Sequence, residues 1–151
     1  MQKNHVIKAG LATLGSALAL ATAQVATAAT ARSSALAGPK VTITIQGKNK
    51  TLLATETVQG RSGWITRGGA PSGKCSADSV QGALNVATHG QWQGKWYASY
   101  KEYFITGILG DKETTKKYFW GLYVNGKSAS KGACDIPLKS GQKLLFKVTK
   151  A

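Results

Sequence analysis

Residues 118–127 read Tyr-Phe-Trp-Gly-Leu-Tyr-Val-Asn-Gly-Lys, and the fold turns on this stretch. In an extended chain Tyr118, Trp120, Leu122 and Val124 fall on one face, and Phe119 and Tyr123 on the other. Asn125-Gly126 supplies two residues that tolerate positive φ, which a type I′ turn requires, so the spacing predicts a β-hairpin. Apolar side chains on both faces predict an interior strand, covered on each side by a helix, a loop or a ligand.

Downstream of the turn, Ser128 to Ser130 read as a short return strand. Gly132-Ala133-Cys134 leads into one turn, and Pro137 to Gln142 make another. Leu144, Phe146 and Val148 then alternate with Lys143, Leu145, Lys147 and Thr149, giving a final strand whose outer lysines protect an edge or a solvated face. Near the start, Val41, Ile43 and Ile45 alternate with Thr42 and Thr44, a half-buried strand. Residues 47–50 form a turn, and Thr51 to Val58 return as its hairpin partner.

Residues 59–75 contain five glycines and a proline and are predicted to form a loop whose far end Cys75 ties down. Trp64 inside it is read as a plug of the core, with stacking on a ligand as the alternative. After Cys75, Ser76 or Asp78 caps a helix that places Val80, Ala83, Leu84 and Ala87 on one face, and Gly90 ends it. Gly82 weakens this helix by up to about 1 kcal/mol relative to Ala. His89 lacks a nucleophile and an orienting carboxylate at interpretable spacing, so it is read as complementing the helix C-terminus.

Trp92, Trp96, Tyr97, Tyr100, Tyr103 and Phe104 fall close together, interleaved with Gln93, Lys95, Ser99 and Lys101. Such a run lines a ring-binding surface or builds the core of a small β domain. Trp96 and Phe104 are read as core, while Trp92, Tyr97 and Tyr100 stay open. Residues 105–109 form a short buried segment and 110–117 a polar loop.

Residues 1–28 have the form of a secretory signal. Lys3 and Lys8 give a basic start, an Ala-, Leu- and Val-rich stretch follows, and Ala26-Thr27-Ala28 offers a cleavage site, with Ala23 and Ala29 as alternatives. The stretch is too short and interrupted for a membrane anchor, and no membrane span is expected. Removing 28 of 151 residues leaves 123, divided into a flexible leader, 29–39, and one domain, 40–151. Two of the 20 Lys and Arg residues go with the signal. The remaining 18 face 6 Asp and Glu, a formal charge of +12. They are scattered, which suits a solvated surface and weak salt-screened attraction to polyanions better than specific nucleic-acid recognition. In an exported chain Cys75 and Cys134 are expected to form one disulfide. Without a nearby histidine pair they make a poor zinc site, and no metal or cofactor is expected.

The segment from Tyr118-Phe119-Trp120 to Val124-Asn125-Gly126, followed by Gly132-Ala133, Leu138, Gly141, Leu144 and Phe146, resembles a family of extracellular domains of unknown function. That family is grouped with the C-terminal domain of transcobalamin and intrinsic factor. Ala83-Leu84 in the helix and the stretch from Gly90-Gln91-Trp92 to Trp96 resemble it too, and the resemblance covers most of residues 40–148. It implies an α+β fold, a small β-grasp-like mixed sheet of about five strands on one short helix, here with one disulfide. In the transcobalamin relatives this domain supplies one wall of a cobalamin site and a large helical domain supplies the other. This chain has no room for that second wall, so cobalamin is a weak analogy. Gln142 stands where the family commonly has an acidic residue, which affects turn chemistry. No catalytic residue transfers, and the acidic residues form no enzyme motif.

The function expected is thus a secreted, non-enzymatic binding domain with an aromatic-lined surface for a ring-bearing small molecule or saccharide. Trp64, Trp92, Tyr97, Phe119 and Tyr123 are expected to converge on its groove. The alternative is a basic cell-envelope protein that binds anionic polymers through net charge.

Overall fold

The computed structural model describes residues 37–67, 73–112 and 115–151. The segment read as a signal lies outside the described residues, as does the leader up to residue 36. The chain runs through β1 (Ala37–Gln46), β2 (Thr51–Arg61), β3 (Trp64–Thr66), β4 (Lys74–Ser76) and α1 (Val80–Ala87). It continues through β5 (Trp92–Tyr97), β6 (Glu102–Ile108), β7 (Tyr118–Val124), β8 (Lys127–Ser128) and β9 (Lys143–Lys150). Five strands form a mixed sheet in the order β2-β1-β9-β7-β8, and the pairs β3-β4 and β5-β6 form two ribbons. This is the α+β arrangement expected, with β1 and β9 parallel and the other pairs antiparallel. β1 begins at Ala37, inside the stretch read as leader.

Period-two alternation decides which face is buried. Ile43 stands beside Leu144 and Ile45 beside Phe146 across the parallel pair, while Leu122 and Trp120 continue the row opposite Phe146 and Val148. Val41, Ile43, Ile45, Leu144, Phe146 and Val148 are all buried and meet the helix residues Val80, Ala83, Leu84 and Ala87. Each large aliphatic side chain taken from water contributes about 1.5–3 kcal/mol, which holds an eight-residue helix that would not persist alone.

The helix is capped by Ser79, one residue beyond the nearer of the two positions expected. Its Oγ accepts from the Gly82 N–H at 3.2 Å and donates to the Ser76 carbonyl at 2.7 Å. The Ser76 hydroxyl is already engaged by the Asp78 N–H, closing a turn ahead of the helix. Gly82 has a packing reason to be there, because a Cβ would strike the Ala77 carbonyl. At the other end the Gly90 N–H returns to the Asn85 carbonyl, with His89 and Gly90 both at positive φ.

Three expectations need correction. Most of the described residues of the loop expected over 59–75 are extended: β2 reaches Arg61, and β3 and β4 pair with Ile65 opposite Cys75. The buried segment 105–109 is the second half of β6 rather than a separate element. β7 is not fully interior, since its outer neighbour β8 is two residues long.

The hairpin itself forms as predicted, Val124 facing Lys127 across Asn125 (φ 52°) and Gly126 (φ 79°). Asn125 also anchors the turn to β9, accepting from the Lys143 N–H through its side chain and donating its own N–H to the Lys143 carbonyl. Cys75 and Cys134 are joined as a disulfide, Cα to Cα 5.2 Å, linking β4 to the segment that follows β8. Among the described residues no helix is long and apolar enough to cross a membrane.

Candidate functional site

The aromatic run becomes a hairpin whose two faces have different fates. Trp96 pairs with Tyr103 and Lys95 with Phe104 across β5 and β6, so Trp96 and Tyr103 share one face and Lys95, Tyr97 and Phe104 the other. On the inner face Tyr103 is buried edge-to-face between Trp92 and Trp96, ring centroids 5.2 and 4.8 Å apart. On the outer face Phe104 is 45% and Tyr97 40% exposed, with rings 6.5 Å apart and nearly perpendicular. The Lys95 ammonium lies 5.3 Å over Tyr97. Phe104, expected in the core, is therefore a surface ring, while Trp96 is half-buried and packs against the core.

The hairpin leans on β7 without joining its ladder, and the gap is a cleft of about 250 Å³. Phe104, Phe119 and Trp120 give it aromatic walls, and Ala129, Lys131 and Gly132 lie along its far side. The edge of β7 explains why the cleft is open. Asn125 bonds Lys143 and the Ala151 N–H bonds the Lys117 carbonyl, so residues at odd positions of β7 face β9. Tyr118, Trp120 and Leu122 must then direct their main-chain groups outward. Tyr118 is taken by a bridge to Thr115, and the Leu122 carbonyl accepts from the Ala129 N–H. Trp120 lies between these closures with no outward partner for its N–H or carbonyl among the described residues. Its buried indole N–H is unpartnered there too.

Of the five residues expected to converge, Phe119 lines this cleft; Tyr97 does not, though its ring lies 6.5 Å from that of Phe104, which does. Tyr123 shares the open face of the sheet with Phe119 but does not line the cleft. Trp92 is 3% exposed, its indole N–H donating to Asn85 Oδ1 at 3.0 Å and the Arg67 guanidinium 5.0 Å from its ring. It belongs to the core. Trp64, read as a plug, is 65% exposed on β3 with the Lys74 ammonium 5.0 Å over its ring. Nothing in three residues of ribbon brings it back to the core. Phe104 and Trp120 were missed as site residues. Hairpin pairing of β5 with β6 is the signal that would have found Phe104, but a register shift at Gln93/Gly94 hides the alternation.

Beside the cleft, Glu102 is half-buried and ties β6 to the disulfide. Both its carboxylate oxygens accept from the Cys134 N–H, at 3.1 and 3.0 Å, and one also accepts from the Tyr103 N–H. Burial pushes its carboxyl above the usual 4.5, the main-chain N–H groups only partly opposing this. Glu102 and the two cysteine sulfurs lie within 4.8 Å of one another, but sulfurs bonded to each other offer no thiolate for a metal.

No curated protein matches the chain. Among solved structures it is similar to a protein from Ruminococcus gnavus ATCC 29149 for which metal binding has been suggested, at 16% identity and a TM-score of 0.49, covering 75% of this chain and 98% of that one. It is also similar to haptocorrin in complex with Cbi, at 16% identity and a TM-score of 0.48 over 74% of this chain, spanning only 25% of haptocorrin's length. Residues 78–150, from the turn before α1 to the end of β9, match the family described as a domain of unknown function (DUF4430). The matched residues include the hairpin and final strand whose sequence resembles a domain of unknown function.

Proposed function

We propose that this is a secreted, non-enzymatic binding domain that holds one ring of a small molecule or saccharide in the cleft between β6 and β7. The observation that carries this reading is Phe104, 45% exposed at the mouth of a cleft whose walls are also aromatic. An aromatic face left in water next to a hollow stabilises an apolar ring face placed on it. At about 250 Å³ the cleft sits just below the roughly 300–1,000 Å³ of drug-sized sites, so it takes one ring and a substituent. A corrin macrocycle is far larger, which favours a saccharide. Export is supported by the form of residues 1–28 and by the disulfide.

Intrinsic Trp fluorescence of the mature chain, titrated with neutral oligosaccharides and with cobalamin at low and high salt, tests the reading. A saturable change that survives high salt and weakens in Phe104→Ala supports it, and no change with either ligand class overturns it.

A second reading is favoured by a separate observation. Lysine ammoniums sit over the exposed rings of Trp64 and Tyr97, in a chain of formal charge +14. This suits an anionic cell-envelope polymer, and it predicts binding that is lost at high salt and indifferent to Phe104.

A further inference from the structure

We infer that Glu102 shields the Cys75–Cys134 disulfide from attack by thiols, its carboxylate opposing the negative charge that exchange must bring to the sulfurs. A carboxylate oxygen of Glu102 and the two sulfurs all lie within 4.8 Å of one another. Cys75 is 2% exposed while Cys134 is only half-buried, so an incoming thiolate meets the Cys134 sulfur first. Attack there forms a mixed disulfide with Cys134, breaks the S–S bond and sends its electron pair to the Cys75 sulfur, which leaves as a thiolate. With a dithiol reductant, the reagent's second thiolate then attacks its own bound sulfur. The reagent closes into a cyclic disulfide, and Cys134 leaves as a thiolate in turn.

Each step carries negative charge at the sulfurs, and Glu102 places another beside it. Like charge raises the proton affinity of the departing sulfur, which makes it a poorer leaving group, and it also repels the entering thiolate. Water weakens this little, because Cys75 is buried and Glu102 half-buried. The Cys134 N–H, a dipole that would otherwise favour an anion close by, is taken by both Glu102 oxygens, at 3.1 and 3.0 Å. The charged neighbours along this segment, Lys131 and Asp135, are exposed, so solvent screens them. Cysteines built for exchange sit beside cations, which is the opposite setting. The disulfide is thus a clasp made to stay closed among thiols.

The test uses the oxidised mature chain under native conditions and two dithiols of one reactive core, one neutral and one carrying an ammonium group, at about pH 8, where thiols are partly ionised. Samples are quenched with an alkylating agent, and the doubly alkylated product is followed by mass spectrometry. Glu102→Gln keeps an oxygen for the Cys134 N–H and removes the charge. The neutral dithiol is expected to reduce this variant roughly three- to tenfold faster than the wild type. The ratio of the rate with the ammonium-bearing dithiol to the rate with the neutral one is expected to fall at least about twofold in the variant. A ratio that does not change overturns the inference even if both rates rise, because a merely loosened fold speeds both reagents alike. Equal rates for wild type and variant overturn it as well. Asp135→Asn removes an exposed carboxylate next to Cys134 and is expected to change the rate by less than about twofold. Acceleration as large as that of Glu102→Gln would show that any nearby negative charge suffices, and the assignment to Glu102 falls.

Discussion

The hydroxyl of Tyr103 donates to the main-chain carbonyl of Gly73, and the same oxygen accepts from the N–H of Arg67 at 2.8 Å. One buried oxygen on β6 thus holds both ends of the segment that separates β3 from β4. Tyr103→Phe keeps the ring between Trp92 and Trp96 but leaves a buried carbonyl and an N–H without partners. The expected loss is about 1–3 kcal/mol in urea denaturation, with the slope unchanged. A loss within error would mean that water replaces the hydroxyl.

The two tryptophans that looked alike in sequence should behave oppositely. Trp92→Ala empties a core position that is 3% exposed and is expected to cost about 3–5 kcal/mol. Trp64→Ala removes a ring that is 65% exposed and is expected to change stability by no more than about 0.5 kcal/mol. Thermal melts of the two variants check this. A large loss on replacing Trp64 would show that the ribbon is folded back onto a partner surface in solution.

The contrast shows what the sequence can carry. Alternation in Val41–Ile45 and Leu144–Val148 named the buried face correctly, because a period of two is imposed by the backbone whatever surrounds it. Asn125-Gly126 named its turn for the same reason: the demand for positive φ is local. The aromatic residues carry no such local mark. Trp64 and Trp92 differ in what packs on them: the Trp92 ring meets Tyr103 on β6 and the Arg67 guanidinium beyond β3, partners from other elements that no short window of sequence contains. The cleft was illegible for a further reason. It exists because β8 stops after two residues and leaves Trp120 uncovered, and the absence of a neighbouring strand has no sequence signature.

The disulfide closes a separation of 59 residues and restrains the unfolded chain by roughly 4 kcal/mol in the chain-entropy account. In a domain of this size about 1 kcal/mol moves Tm by 4–8 °C. The Cys75→Ser/Cys134→Ser double variant is therefore expected to melt roughly 15–30 °C below the oxidised protein in a calorimetric scan. A fall of only a few degrees would show that the contacts of Glu102 with the Cys134 segment hold β6 and that segment together without the covalent link.

Glu102 gives the stability of the domain a pH dependence whose sign can be worked out. Burial raises its carboxyl above 4.5 in the folded protein, whereas in the unfolded chain it returns to the ordinary range. The folded state then binds the proton more tightly, so this group's contribution is fully present below the unfolded value and is lost as pH rises through the folded one. Glu102 alone thus makes the protein more stable at about pH 5 than at about pH 7. Glu102→Gln keeps an oxygen for the Cys134 N–H but removes the titration, and it is expected to flatten this part of the profile. Urea denaturation of both proteins at the two pH values is the check. If the variant keeps the wild-type slope, the dependence comes from other groups. The side chain also crowds Gly132, which lines the cleft, since a Cβ added there would meet the Glu102 carboxyl. Ligand affinity is therefore expected to follow the same titration in the wild type and to lose it in Glu102→Gln.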